Sequence, residues 1–132
     1  MSGAQQEKYI IIKARTGQGK WRENLIDELS CCIITKVNDE RLLIASHIKP
    51  WISSNDREKI DKNNGLLLTP TFDKLFDRGF ITFLPNSSIL ISPYLSPYNI
   101  SKLKIPSKCD LIFNPKRLHY LEYHLENIFK KG

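Results

Sequence analysis

Apolar residues fall in short runs along this chain, separated by polar turns, and the runs change period from place to place. Tyr9 to Ala14 (YIIIKA) is compatible with a short strand, and residues 1–8 before it read as a loosely held, disordered tail. Arg15 to Arg22 (RTGQGKWR) is a basic, glycine-containing turn. Trp21, Leu25, Leu29 and Cys32 then recur at helical spacing, which predicts an amphipathic helix over about Lys20 to Cys31. Cys32 to Thr35 is compatible with a strand and Lys36 to Glu40 with a turn. Arg41 to Ser46 (RLLIAS) reads as a buried strand that delivers His47, and Pro50 ends it. Ser53 to Asn63 is polar and charged throughout, the pattern of a surface loop.

The second half continues in the same short units. Gly65 to Leu68 (GLLL) predicts a strand. Thr69 is placed to cap a short helix with Pro70 as its first residue, and Gly79 to close it. Phe80 to Leu84 and Ile89 to Ser92 flank the turn-forming PNSS and predict a hairpin. Pro93 to Pro106 reads as an irregular segment with room for a short helix, and Cys109 to Phe113 is compatible with a strand. Asn114 or Pro115 opens a last helix, with Leu118, Leu121, Leu125 and Ile128 on one face. Together these elements predict an α+β fold. The 132 residues suit a single domain with one modest core.

Composition narrows the class only a little. No apolar run approaches the ~20 residues that span a bilayer, so no membrane association is expected. The polar start MSGAQQEKY lacks an export signal, which makes a cytoplasmic location the expectation. A net charge of +6 is a mild push toward polyanions, because lysines and arginines that neutralise phosphates release counterions. The cysteines are Cys31, Cys32 and Cys109; their odd number and the adjacent pair argue against a disulfide framework and against a tetrahedral zinc site.

The order strand, histidine, long loop, asparagine, short strand, acid-bearing helix resembles the HNH endonuclease family. The matching stretches are ASHIKPW (Ala45 to Trp51), NNGLLL (Asn63 to Leu68) and TFDKLFDRGFITF (Thr71 to Phe83). Asn64 and Asp73 stand nine positions apart, the interval between the second and third signature residues in colicin-type nucleases and in the HNH domain of CRISPR effectors. A nearer likeness is to a bacterial restriction and defence branch. There a GQ…FR segment precedes the site, here Gly17 to Arg22, and a helix similar to YLEYHLENIF (Tyr120 to Phe129) closes the domain. The resemblance implies a ββα-metal core with flanking helices and a β-hairpin. It also implies a metal-dependent nuclease acting on DNA in restriction or phage defence, working alone, as a homodimer, or as the cleavage module of a larger protein.

The chemistry of phosphodiester hydrolysis asks for the same residue types. It needs an activated water and a means of stabilising charge on the phosphoryl oxygens. A neutral imidazole takes a proton near neutral pH, and His47 is the sole histidine of the central stretch. Asp73 and Asp77 stand four apart, so both leave one helix face, and two carboxylates suit Mg²⁺ or Mn²⁺ better than Zn²⁺.

By resemblance, His47 is the general base, and Asn64 holds the base-bearing loop through backbone hydrogen bonds. Asp73 is a ligand at the position of the family's final His or Asn, and Asp77 matches a further histidine ligand of colicin-type enzymes. Ser46 stands where many relatives carry an acidic or histidine ligand. That departure motivates a second reading, a nucleic-acid-binding module with impaired catalysis. Arg15, Gln18, Lys20 and Arg22 form a candidate phosphate or base-edge clamp, and Lys49, Lys74 and Arg78 flank the site as candidate phosphate contacts. Trp21 and Trp51 read as packing residues. His119 and His124, five apart on the last helix, read as structural.

Overall fold

The computed structural model describes residues 17–132, so the tail 1–8, the Tyr9–Ala14 segment and Arg15 lie outside the described residues. The fold is α+β, as the sequence predicts, with two small antiparallel hairpins among helices. Helix α1 covers 17–29 and buries Trp21 and Leu25. Strand β1 (Ile44–His47) pairs with β2 (Gly65–Leu68), with Ile44 opposite Leu68 and His47 opposite Gly65. Between them lie two 3-10 turns, Trp51–Ser53 and Lys62–Asn64, and the short helix α2 (Asp56–Ile60). Helix α3 (Pro70–Asp77) follows β2 and buries Phe72, Leu75 and Phe76. Strands β3 (Ile81–Phe83) and β4 (Ile89–Ile91) form the second hairpin, followed by α4 (Pro97–Leu103) and α5 (Pro115–Asn127).

The core sits where α1, α3 and α5 close on the β1–β2 ribbon, whose residues Leu66, Leu67 and Leu68 are all fully buried. Gly65 is required by proximity. A Cβ there would stand 2.6 Å from a Leu25 methyl and 2.7 Å from the Trp21 ring. Gly79 is required by conformation, at φ +77° with the Ile128 carbonyl packed against its Cα.

Five expectations are corrected. Residues 17–22, expected as a basic turn, are the first turns of α1, which ends at residue 29. Residues 32–35 form a turn, because the Cys32 thiol sulfur accepts the amides of Ile34 and Thr35, each at 3.4 Å, and Lys36 takes a left-handed conformation. Ile33 still donates to the Leu67 carbonyl at 3.1 Å. The strand expected from Arg41 starts at Ile44, since Glu40–Leu42 is a 3-10 turn capped by Asp39. The expected loop 53–63 contains α2, closed by a capping box between Asn55 and Glu58. Residues 109–113 are not a strand; one bridge joins Ser88 to Lys108, and the Ser87 hydroxyl donates to the Leu111 carbonyl at 2.6 Å.

The buried face of α5 is also turned from the apolar stripe. Its fully covered residues are Arg117, Tyr120, Leu121 and His124. His124 lies flat on Phe76 at 3.8 Å between ring centroids, with Nδ1 2.8 Å from the Thr82 hydroxyl and Nε2 2.9 Å from the Phe76 carbonyl. A carbonyl only accepts, so Nε2 carries the proton and Nδ1 accepts from Thr82. Burial drives its pKa down to about 4. The unfolded chain therefore binds this proton more tightly than the folded one. The stability held by neutral His124 is complete above about pH 6.5 and is lost as pH falls through about 4, roughly 3 kcal/mol in all. Urea unfolding at pH 7, 5 and 4 is expected to show this loss, and His124→Gln should flatten it.

Among the described residues, no helix is long and apolar enough to cross a membrane.

Candidate active site

β1 sends neighbouring side chains to opposite faces of the ribbon. Ser46 is buried on the side of α3, and its hydroxyl lies near enough to the Asp73 carboxylate to pull that carboxyl's pKa down. His47 turns toward α1. Its ring stacks on Trp21 at 3.8 Å between centroids and 7° between planes, and meets the edge of Trp51 at 5.8 Å.

The other partner of His47 follows from the shortness of α2. The last carbonyls of any helix lack intrahelical donors, and in a helix of five residues that covers most of the element. The Glu58 carbonyl accepts from Asn64 Nδ2 at 3.0 Å. The Lys59 carbonyl accepts from Gln18 Nε2 at 2.8 Å and lies 2.9 Å from His47 Nε2. Because that oxygen can only accept, the neutral His47 ring carries its proton on Nε2 and keeps a lone pair on Nδ1. Among the described residues Nδ1 has no hydrogen-bond partner, and none of their buried side-chain nitrogens or oxygens is left unsatisfied. Burial holds the His47 pKa below its ordinary value, against the opposing pull of the Lys59 carbonyl. Near neutral pH the ring is an uncharged base.

Asn64 is fully buried and spans the loop. Its Oδ1 accepts the Lys49 amide at 2.7 Å, while Nδ2 also reaches the Lys49 carbonyl and the Ser54 hydroxyl, each at 3.4 Å. Its own carbonyl accepts the Ile48 amide at 3.3 Å, beside His47. The segment just before β2 is tied down from both flanks. Trp21 Nε1 donates to the Asp61 carbonyl at 2.9 Å, and the Tyr120 hydroxyl donates to the Asp61 carboxylate at 2.8 Å. Arg117 Nη2 donates to the Lys62 carbonyl at 2.9 Å and its Nε to the Gly65 carbonyl at 3.1 Å. Sequence reading missed the Lys59 carbonyl, Asp61, Tyr120 and Arg117. Of the flanking residues only Trp21 carries a sequence signal, as an apolar position of the predicted helix and a packing residue.

On α3 Asp73 is half-buried, and desolvation together with the neighbouring Asp77 charge raises its pKa, against the Ser46 hydroxyl and Lys74. Asp77 is exposed one turn further on. The ion pairs among the described residues use neither acid. No group of three His, Cys, Asp or Glu among those residues is arranged to hold a metal. Two carboxylates and a hydroxyl fit a largely hydrated Mg²⁺ or Mn²⁺, which keeps several waters, and do not fit a closed zinc site.

The candidate nucleic-acid contacts divide. Gln18 is occupied by the Lys59 carbonyl, and Arg22 by the carbonyls of Leu43 (3.1 Å) and Glu40 (3.0 Å), where it anchors the entry to β1. Lys49 is paired with both oxygens of Glu58 at 2.9 and 3.1 Å and lies 5.0 Å from the Tyr123 ring centre. Lys20, Lys74 and Arg78 are exposed, the last two beside the acids of α3.

No curated protein matches this chain. The family model described as HNH endonuclease does match it, over residues 31–84, a span that holds β1, the whole His47–Asn64 loop, β2, α3 and β3. The segment that carries His47, Asn64, Asp73 and Asp77 therefore belongs to the HNH endonuclease family.

Proposed function

We propose that the chain is a divalent-metal-dependent endonuclease that hydrolyses DNA phosphodiester bonds, with restriction or phage defence as its setting. The observation that carries this reading is the 2.9 Å contact between His47 Nε2 and the Lys59 carbonyl, which leaves Nδ1 as the basic atom. Nδ1 takes the proton of the attacking water, and the Lys59 carbonyl holds the imidazolium that forms. Asn64 keeps the loop that supplies this carbonyl in register with β1. Asp73 and Asp77, with Ser46, would hold a Mg²⁺ or Mn²⁺ ion, which when bound supplies charge stabilisation at the phosphoryl oxygens and the leaving oxygen. Lys74 and Arg78, exposed beside these acids, neutralise flanking phosphates.

Supercoiled plasmid should be nicked with Mg²⁺ or Mn²⁺ and left intact in EDTA. Ser46→Ala removes the hydroxyl beside Asp73, and a Mg²⁺ titration of nicking is expected to show an apparent affinity about 10-fold weaker.

The neutral Ser46 and the lack of a third acidic or histidine donor among the described residues favour one competing reading, a nucleic-acid-binding module that does not cut. DNA binding that persists in EDTA, with no nicking in either metal, would establish that reading instead.

A further inference from the structure

We infer that Gln18 is a positioning residue for the His47 base. The inference rests on the reading of His47 above and replaces the expectation that Gln18 contacts a base edge. Its grounds are geometric. Lys59 is the next-to-last residue of α2, so its carbonyl has no donor within that helix. The oxygen has two lone pairs, and two side chains from different elements take them: Gln18 from α1 at 2.8 Å and His47 from β1 at 2.9 Å. The identity of the Gln18 atom is settled by the acceptor, since only its amide nitrogen can donate to a carbonyl.

Gln18 thereby does two things. It fixes the direction of the Lys59 carbonyl, and it fills the lone pair that water would otherwise occupy. What remains is one acceptor aimed at His47 Nε2, and that acceptor selects the tautomer that leaves Nδ1 free. The same helix holds the ring plane through Trp21, which stacks on His47 and donates to the Asp61 carbonyl just past α2. Helix α1 starts outside the matched span 31–84, so the inference gives a role to a part of the chain that the family match does not cover.

The test uses two substitutions that keep side-chain length and helix propensity, Gln18→Glu and Gln18→Met. Neither can donate to the Lys59 carbonyl. In the metal-free protein, nitrogen NMR of His47 at neutral pH is expected to show one Nε2–H tautomer for wild type and a mixture of tautomers for both variants. Nicking under saturating Mg²⁺ should fall about 10-fold, short of the ~10²-fold that a misplacement of ~1 Å can cost, with no change in the DNA concentration for half-maximal rate. An unchanged tautomer in both variants overturns the assignment, whatever the nicking rate. Should wild type fail to nick in any metal, the nuclease reading falls by itself, and the NMR comparison alone decides the role of Gln18.

Discussion

His47→Ala is expected to lower the plasmid-nicking rate by about 10²- to 10⁴-fold under saturating metal, the loss that follows removal of a general base. The protein should stay folded, since His47 is only half-buried and its loop is held independently by Asn64, Trp21 and Arg117. Two further observations separate basicity from packing. His47→Gln retains an N–H able to donate to the Lys59 carbonyl but has no basic atom, so it should be as inactive as the alanine variant. In wild type the rate should rise with pH as His47 loses its proton and then level off. Burial depresses its pKa, so the midpoint of that rise should lie below about 6.5. A gel assay over pH 5–8 on all three proteins checks the set. Equal nicking by wild type and His47→Ala would remove His47 from the chemistry.

Arg117→Ala is expected to be the most damaging change to the fold. The guanidinium is 1% exposed and makes four hydrogen bonds, with Nη1 3.0 Å and Nη2 3.3 Å from the two Glu28 oxygens and further donations to the Lys62 and Gly65 carbonyls. It joins α5 to α1 and to the entry of β2 in one group. The arginine holds the Glu28 carboxyl below its usual range, so the carboxylate is ionised at neutral pH. Truncation leaves two carbonyls without this donor and Glu28 with only Lys62, 3.9 Å away, at a cost of about 3–5 kcal/mol. That is a large share of the ~5–15 kcal/mol that stabilises a typical domain. Thermal unfolding should shift down by on the order of 10 °C or more. Arg117→Lys should restore little, because a single ammonium cannot serve the carboxylate and both carbonyls at once. Glu28→Gln, at a partly exposed site, should cost far less. A melting temperature within a few degrees of wild type for Arg117→Ala would contradict the role given to this residue.

The order of elements around the site was legible because it is written locally. Ala45 to Trp51, Asn63 to Leu68 and Thr71 to Phe83 carry the strand, loop and helix within one short span, and the family match falls on that span. Helix α2 is equally local, yet its sequence has the pattern of a loop, since the Asn55–Glu58 capping box sits in a stretch too polar to show a periodic face. The face of α5 was misplaced for a different reason. Arg117 and His124 are polar, and they are buried only because Glu28, Thr82 and Phe76 bring partners from far along the chain.

The same holds for Gln18, Arg22 and Lys49. Their side chains suggest solvent and phosphate, and nothing in their own spacing marks the Lys59, Leu43 and Glu40 carbonyls or the Glu58 carboxylate that they meet. Ser46 shows the limit most plainly. Sequence alone presents it as a weak ligand and says nothing of its nearness to Asp73, whose pKa its hydroxyl lowers.

The sharpest check on His47 as the base is nitrogen NMR of its ring in the wild-type protein, at neutral pH and without metal. A neutral ring in a single tautomer is expected, with the proton on Nε2 and Nδ1 unprotonated. A neutral ring protonated on Nδ1, or one charged at neutral pH, would contradict it, because either form leaves no lone pair at the atom assigned to take the proton from water.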